Sequence, residues 1–171
     1  RMHYEKSIER VNVCYMPTRH GDFQLYTYRN INDGQIHFAL VKGEITRSQP
    51  TLVRVHVENT LCDVFGSMRN DCGWPLDDVL QRIEKAGSGV AVILRVQEDS
   101  EQLIKRVTNY AAKDSGEDLT GDEHGQDLRT FGIGAQILTD IGVRKMRVMS
   151  APKKIHALSG FDLEVVEYIH E

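Results

Sequence analysis

Cysteine, proline and long apolar runs are all scarce in this sequence, and each shortage excludes a class of protein. The 171 residues include three cysteines, Cys14, Cys62 and Cys72, which are too few and odd in number for a disulfide framework. That cysteine usage predicts a reducing, cytoplasmic location. The longest apolar run, residues 90–94, has the length of a strand and falls far short of the ~20 residues that a membrane-spanning helix needs.

The sequence also has no excess of positive charge and no repetitive stretch. Lys and Arg number 21 against 25 Asp and Glu, and the net charge of −4 lacks the basic footprint of a general nucleic-acid binder. Hydrophobic residues make up 40% of the chain and charged residues 27%, with four prolines, which is the composition of a folded globular domain. We therefore expect neither a nucleic acid nor a membrane as partner.

The first ten residues are dominated by charge. Only Tyr4 and Ile8 share a face at helical spacing, so a short polar helix or linker is predicted over residues 1–10. The opening residues RMH are neither a signal sequence nor a natural start. We interpret residues 1–10 as a connection to something upstream and residues 11–171 as one domain.

Antiparallel strands are predicted in the first third of the chain, and alternating helices and strands in the rest. Runs rich in β-formers at residues 11–15, 23–28 and 36–41 are separated by turn residues, including the Asn32-Asp33-Gly34 hairpin signal. Further strands are predicted at 52–57, 89–95, 145–149 and 163–168, and helices at 74–86, 100–113, 131–141 and 152–158. The predicted fold class is α/β with a mixed sheet, antiparallel in its first half and covered by helices in its second.

Polar donors gather between residues 54 and 72. His56, Cys62 and Cys72 are of the types that bind zinc, and a catalytic zinc site needs three such donors plus an open position. Their spacing matches no compact zinc signature. The simpler interpretation, which we favour, treats Cys62 and Cys72 as small hydrophobic residues of the core.

Asp127 and Arg129 form a second candidate, at the predicted start of a helix after a long polar loop. An acid beside a guanidinium can orient a water molecule or hold a phosphate. A helix N-terminal acid with a surface ion pair would have the same sequence. A basic cluster around residues 144–154 suits either an anion site or a solvated edge, and it consists of Arg144, Lys145, Arg147, Lys153 and Lys154.

Four blocks of sequence, in order along nearly the whole chain, resemble the GTP cyclohydrolase II family. They are residues 40–43 (LVKG), 54–58 (RVHVE), 66–73 (GSMRNDCG) and 131–138 (FGIGAQIL), the last continuing through 142–145 (GVRK). Members of this family are zinc enzymes that open GTP at the head of riboflavin biosynthesis. The resemblance implies their mixed α/β fold and a homodimer. It also implies that residues 1–10 are a linker helix from an upstream 3,4-dihydroxy-2-butanone 4-phosphate synthase domain.

The zinc positions of that family are altered in this chain. Family members carry a cysteine after an Arg-Val-His-Ser-Glu stretch and then a Cys-Asp-Cys triplet, and the matching residues here are Asn59 and Asn70-Asp71-Cys72. Amide oxygens do not replace the thiolates that give zinc its high affinity, so no metal is expected at Asn59, Asn70 and Cys72. A rescue in which Cys62 joins Cys72 as a donor would require a remodelled backbone.

The resemblance also assigns roles in a nucleotide site. The family's glycine-rich Gln-Glu-Gly-Arg-Gly-Ile-Gly loop is replaced by residues 97–102 (QEDSEQ), which puts acids where phosphate should approach. Other family positions are retained. The proton acceptor, the nucleophile and the active-site tyrosine correspond to Asp127, Arg129 and Tyr110, and the nucleotide contacts correspond to Arg54, Glu58, Glu98 and Lys154.

Three functions fit this mixture of lost and retained positions. We favour a domain without cyclohydrolase activity and without a cofactor, which acts as structural or regulatory partner of an attached synthase domain. The second function is an active GTP cyclohydrolase II, which would use zinc to hydrolyse GTP to the diaminopyrimidine product, formate and pyrophosphate. The third is a module that senses a purine nucleotide or a flavin precursor.

Overall fold

A computed structural model of the chain describes residues 6–96, 98–117, 128–151 and 158–170. The strands in these ranges are β1 (Ile8–Thr18), β2 (Gly21–Asn30), β3 (Ile36–Lys42), β4 (Thr51–Val57), β5 (Gly89–Leu94), β6 (Lys145–Met149) and β7 (Glu164–Ile169). The helices are α1 (Thr60–Asp63), α2 (Leu76–Ala86), α3 (Ser100–Asp114) and α4 (Leu128–Ile141), and 3-10 turns cover Asn70–Cys72 and Leu158–Phe161.

These strands form one mixed sheet in the order β1-β2-β3-β5-β4-β6-β7. The pairs β1–β2, β2–β3 and β3–β5 are antiparallel, whereas β4 runs parallel to both β5 and β6, and β6 runs parallel to β7. The predicted hairpin turn joins β2 to β3, and the N–H of Gly34 donates to the carbonyl oxygen of Asn30 at 2.8 Å. The predicted fold class is confirmed.

Strand β1 begins earlier than the sequence predicts. Ile8 pairs with Asn30 of β2 and is 1% exposed, so residues 8–10 are strand, and the polar helix predicted over residues 1–10 is wrong there. The charged residues Glu9 and Arg10 interrupt the apolar pattern by which a strand is predicted. Such residues are tolerated here because β1 is an edge of the sheet. Residues 1–5 lie outside the described residues, and the division of the chain at residue 10 stays a prediction.

Helices α2 and α4 cover opposite faces of the sheet. Val79 and Ile83 of α2 are fully buried in one apolar cluster, and Ile137 of α4 is fully buried in the other. Gly87 ends α2 in the left-handed region at φ 85°, as expected for a glycine that follows a helix. α2 begins after Pro75, which stands at its N-cap in an extended conformation.

The other predicted elements of the second half are also present, with ends shifted by up to three residues. The helix predicted at residues 152–158 falls largely on residues 152–157, which lie outside the described residues, and Leu158 begins a 3-10 turn. No helix of the described ranges is long and apolar enough to cross a membrane.

Helix α3 buries little of its surface. Ala112 is its one buried residue, whereas Leu103, Ile104 and Val107 are exposed by 36%, 58% and 48%. The helix predicted from their spacing is confirmed, but the apolar face that produced the prediction does not enter the core of the described part.

Candidate functional site

The candidate site lies at the carboxyl ends of two adjacent parallel strands. Leu52 of β4 packs in the cluster of α2, and because side chains alternate along a strand, Arg54 and His56 share that face. Glu58 follows β4, and its N–H donates to the carbonyl oxygen of Leu94, at the end of β5, at 2.8 Å. Open α/β sheets bind ligands at such strand ends.

Asn59, at the first of the zinc positions, caps helix α1. Its side-chain Oδ1 accepts hydrogen bonds from the backbone N–H groups of Leu61 at 2.9 Å and Cys62 at 3.1 Å. Asparagine is among the best N-cap residues because its carbonyl satisfies amide groups that the first helical turn leaves unpaired. The amide oxygen of Asn59 is therefore committed to the backbone.

Asp63 ties α1 to the sheet. His56, 3% exposed near the end of β4, contacts Asp63 Oδ1 through Nε2 at 2.8 Å, and the backbone N–H of Asn59 donates to Asp63 Oδ2 at 2.9 Å. His56 Nδ1 is buried and has no hydrogen-bond partner among the described residues. The histidine that the sequence offered as a zinc donor thus positions α1 through a carboxylate.

Cys62 and Cys72 are joined by a disulfide, with their Cα atoms 5.6 Å apart. Our prediction that both are reduced core residues is wrong, since both are partly exposed and belong to neither apolar cluster. The odd cysteine count argued against pairing, but the third cysteine, Cys14, remains free and exposed on β1. Disulfide formation also occupies both sulfurs, so Cys62 cannot assist Cys72 as a zinc donor in this form.

A polar cluster joins the 3-10 turn at residues 70–72 to α3, and we define it as Asp71, Glu98, Arg106 and Tyr110. The Tyr110 hydroxyl donates to Asp71 Oδ2 at 2.6 Å. Arg106 donates to Glu98 Oε2 from Nε at 3.1 Å and from Nη2 at 2.7 Å, and its Nη1 lies 3.5 Å from Asp71 Oδ2. Two residues with family roles, Tyr110 and Glu98, therefore have partners within the chain.

Arg69 covers the ring of Tyr110. Its guanidinium carbon lies 4.3 Å from the ring centroid, and its Nη2 pairs with Asp114 Oδ2 at 3.0 Å. Burial, and after it the hydrogen bond to Asp71, raise the pKa of Tyr110 above its ordinary value. At neutral pH Tyr110 is therefore protonated and serves as a hydrogen-bond donor.

Arg54 and Glu58, predicted from the resemblance to contact a nucleotide, also have internal partners. Arg54 Nη1 donates to the carbonyl oxygen of Met149, at the end of β6, at 3.0 Å. Gly73 has φ 64°, and a Cβ at this position would lie 3.2 Å from Arg54 Nη2, so glycine suits both the backbone and the guanidinium. Glu58 Oε2 lies 3.6 Å from Arg95 Nε.

The loop that replaces the family's glycine-rich segment begins helix α3. Asp99 Oδ1 accepts from the N–H of Gln102 at 2.8 Å, and Gln102 Oε1 accepts from the N–H of Asp99 at 3.0 Å, which together make a capping box. An acid followed three residues later by glutamine is the sequence signal for this structure. The acid that would repel a phosphate therefore has a structural role.

Three predicted site residues cannot be placed with the others. Asp127 and Lys154 lie outside the described residues, and Arg129 belongs to the first turn of α4, whose described side chains begin at Thr130. Their roles as proton acceptor, phosphate contact and nucleophile stay predictions.

Basic residues next to and within β6 pair with acids of β7. Arg144 Nη1 lies 3.2 Å from Glu164 Oε1, and Arg147 Nε donates to Glu167 Oε1 at 3.0 Å. These pairs favour a solvated edge over an anion site for this part of the basic cluster. Lys153, another member of the cluster, lies outside the described residues.

Residues 9–170 match the family model described as GTP cyclohydrolase II. The chain belongs to the GTP cyclohydrolase II family. It is 42% identical to the riboflavin biosynthesis protein RibBA of Chlorobium phaeovibrioides, in an alignment covering 99% of this chain and 42% of that protein. It is 41% identical to a 3,4-dihydroxy-2-butanone 4-phosphate synthase of Photobacterium phosphoreum, over 99% of this chain and 45% of the relative.

A solved structure is also similar to this chain. RibBX, a two-domain 3,4-dihydroxy-2-butanone 4-phosphate synthase from A. baumannii, matches with a TM-score of 0.61 and 31% identity, over 98% of this chain and 41% of that one. The chain thus spans less than half the length of these relatives.

The residues at the zinc positions of the GTP cyclohydrolase II family do not fit a zinc site. Asn59 caps a helix, Asn70 is exposed at the start of a 3-10 turn, and Cys72 is part of a disulfide. Zinc requires deprotonated thiolates, imidazoles or carboxylates in tetrahedral array. In the described ranges no group of three or more His, Cys, Asp or Glu residues could hold a metal ion.

Three members of the site had no role assigned from the sequence. Arg106 stands four residues before Tyr110 on one helix, a spacing that could have connected the two. Asp71 and Arg69 lie in the polar stretch between residues 54 and 72, but they approach α3 only in the folded chain, across about 40 residues, and no local signal predicts that contact.

Proposed function

We propose that this chain is a GTP cyclohydrolase II-like domain of a cytoplasmic riboflavin biosynthesis protein, and that the domain lacks cyclohydrolase activity. It serves instead as structural or regulatory partner of an attached 3,4-dihydroxy-2-butanone 4-phosphate synthase domain. The observation that carries the proposal is the use of the family's metal positions for other contacts. Asn59 caps α1, and Cys72 is linked to Cys62. Without zinc, no activated water is supplied for attack on the purine ring.

The nucleotide side of the site supports the same conclusion. Glu98, which the family uses to recognise the purine, already has two hydrogen bonds from Arg106. A base would have to compete with this internal guanidinium for the carboxylate. Asp99 and Glu101 stand where the family places glycines and an arginine, so a triphosphate would meet negative charge instead of a bidentate donor.

The partner part of the proposal is supported by the relatives and by α3. Two relatives are named as synthases, and each is more than twice as long as the aligned segment. The stripe formed by Leu103, Ile104 and Val107 is exposed on a helix that contributes one buried residue to the described core. An exposed apolar stripe on a folded domain is typical of an interaction surface. We infer that the synthase domain contacts this stripe, and that the whole protein is a homodimer.

The first test is an assay for GTP turnover. The full-length protein, supplied with zinc or magnesium, is expected to release no formate and no pyrophosphate from GTP. An active GTP cyclohydrolase II that keeps all three zinc cysteines provides the positive control. Turnover that is lost in Arg129→Ala would refute the proposal and favour the active enzyme.

The second test measures synthase activity with and without this domain. Removal of residues 11–171 from the full-length protein is expected to lower synthase activity, melting temperature or the dimer fraction. Ile104→Ser, in the stripe, should reproduce part of the loss. Val166→Ser is the matched control, since Val166 is 45% exposed on β7. A synthase domain with unchanged kinetics, assembly and stability would rule out the support role.

A further inference from the structure

We propose that Cys62 and Cys72 form a reversible thiol–disulfide site that reacts with low-molecular-weight thiols and links the 3-10 turn that contacts α3 to helix α1, which Asp63 ties to the sheet. The disulfide replaces zinc as the cross-link between the two turns that carry the family's metal positions. This inference goes beyond the proposed function and holds whether or not the domain supports a synthase.

Few apolar contacts hold the segment 59–73. Neither α1 nor the 3-10 turn at residues 70–72 contains a buried residue. Between them, Val64, Phe65 and Met68 are exposed by 72%, 73% and 97%. A loop with no fully buried apolar residue gains little hydrophobic stabilisation, so polar contacts and the Cys62–Cys72 bond determine its position.

The surroundings of the sulfurs suit a reversible bond. Cys62 and Cys72 are both partly exposed, and exposed disulfides are more easily reduced than sheltered ones. A disulfide in a reducing compartment is usually transient and redox-sensing. The predicted cytoplasmic location and the observed disulfide agree if the bond forms and breaks with the thiol state of the cell.

The bond is coupled to the polar cluster through the adjacent residue. Asp71 precedes Cys72 and accepts the hydrogen bond of Tyr110, while Arg69 packs on the ring of Tyr110. Two residues after Cys72 lies Trp74, 6% exposed and the single tryptophan of the chain. Release of Cys72 therefore loosens the contact of the segment with α3 and alters the surroundings of Trp74.

The reaction is thiol–disulfide exchange, with glutathione as the probe. A glutathione thiolate attacks one Sγ, the Sγ–Sγ bond breaks, and the second cysteine leaves as a thiolate that takes up a proton. A second glutathione thiolate attacks the mixed disulfide and releases the first cysteine. In sum, the protein disulfide gains two electrons and two protons, and two glutathione molecules become one glutathione disulfide.

The test counts thiols and follows the segment in the full chain. After equilibration in an air-oxidised buffer without small thiols or disulfides, alkylation should modify Cys14 only, whereas in about 10 mM reduced glutathione all three cysteines should react. Chymotrypsin should cleave after Phe65 faster in the reduced form, because the loop opens more often. Trp74 fluorescence should shift between the two forms and return on reoxidation.

Cysteine variants separate the cross-link from general effects of thiols. Cys62→Ser and Cys72→Ser should each be cleaved at the fast rate in both buffers, while Cys14→Ser should keep the full response. Three reactive thiols in oxidised buffer, a bond that resists reduced glutathione, or equal cleavage rates in the two forms would each overturn the inference. None of these readouts depends on GTP turnover or synthase activity, so failure here is distinct from failure of the proposed function.

Discussion

Zinc binding should return to this chain when the three thiolates of the family are restored and the competing disulfide is removed. The change is Asn59→Cys and Asn70→Cys together with Cys62→Ala. The third substitution is needed because Cys72, the thiolate position that the chain retains, is bonded to Cys62. With Cys62 left in place, zinc would have to compete with oxidation of Cys72, and the metal content should be lower.

The expected magnitudes follow from the contacts that are lost and gained. Asn59→Cys removes the N-cap of α1, at a cost of about 1 kcal/mol, and Cys62→Ala removes the disulfide that closes a short loop, at a cost of about 3 kcal/mol. For a chain of this size the two losses together lower the Tm by roughly 8–16 °C before zinc is added. Zinc at a free concentration near 1,000 times its Kd stabilises the folded state by about 4 kcal/mol. The Tm should then rise by roughly 8–16 °C.

The assay is elemental analysis of the purified variant, followed by thermal melting with and without zinc. One zinc per chain and a higher Tm are expected for the triple variant, and Cys62→Ala alone serves as the control, with neither. A folded triple variant that holds no zinc would show that residues 59, 70 and 72 do not converge, and the family-based assignment of the metal positions would be wrong. Full cyclohydrolase activity would instead show that the 97–102 loop does not hinder the nucleotide.

Three further predictions concern pH and the start of α3. Burial lowers the pKa of His37, whose Nδ1 accepts a hydrogen bond from the N–H of Arg95 at 3.0 Å. The contribution of neutral His37 to stability is therefore present above about pH 6.5 and is lost as the pH falls. Denaturant unfolding between pH 7 and 5 should show a steeper loss of unfolding free energy in the unchanged chain than in His37→Gln. Burial and a 2.7 Å hydrogen bond to Asp140 raise the pKa of Tyr28, so stability should decline above about pH 10, and Tyr28→Phe should make that decline shallower. Alkaline unfolding that is unchanged by this substitution would contradict the assignment. Asp99→Ala should cost about 1 kcal/mol and speed hydrogen exchange in the first turn of α3, whereas unchanged exchange would show that the capping box is not needed.

The fold could largely be predicted from the sequence because its core elements have clear periods. Strands such as β5 are short apolar runs, and α2 places Val79, Leu80 and Ile83 on one face before a glycine stop. The start of β1 could not be predicted, because an edge strand exposes both charged and apolar residues. Helix α3 has apolar residues at helical spacing although they are exposed, so its type could be predicted from the sequence but its lack of burial could not.

The site was predictable to a lesser degree. The resemblance located Tyr110, Glu98 and Asn59, but not what each of them contacts. The partners of Tyr110 and Glu98 come from Asp71 and Arg106, whose approach depends on how α3 sits beside the 70–72 turn. The Cys62–Cys72 bond had no signal in a count of three cysteines, because the count does not say which two meet.

Two of the residues that differ from the family pattern, Asn59 and Asp99, have a local structural use. Asn59 is a poor zinc ligand and a good N-cap, and Asp99 is a poor phosphate neighbour and a good partner for Gln102. The bond of Cys72 to Cys62 closes the loop that the metal would otherwise cross-link. If the zinc ligands had been lost with nothing in their place, the segment that carries them would lack the cross-link that the metal provides. Here Asn59 and Asp99 each cap a helix and Cys72 is cross-linked to Cys62, so these positions contribute to the local structure of the segments that carry them.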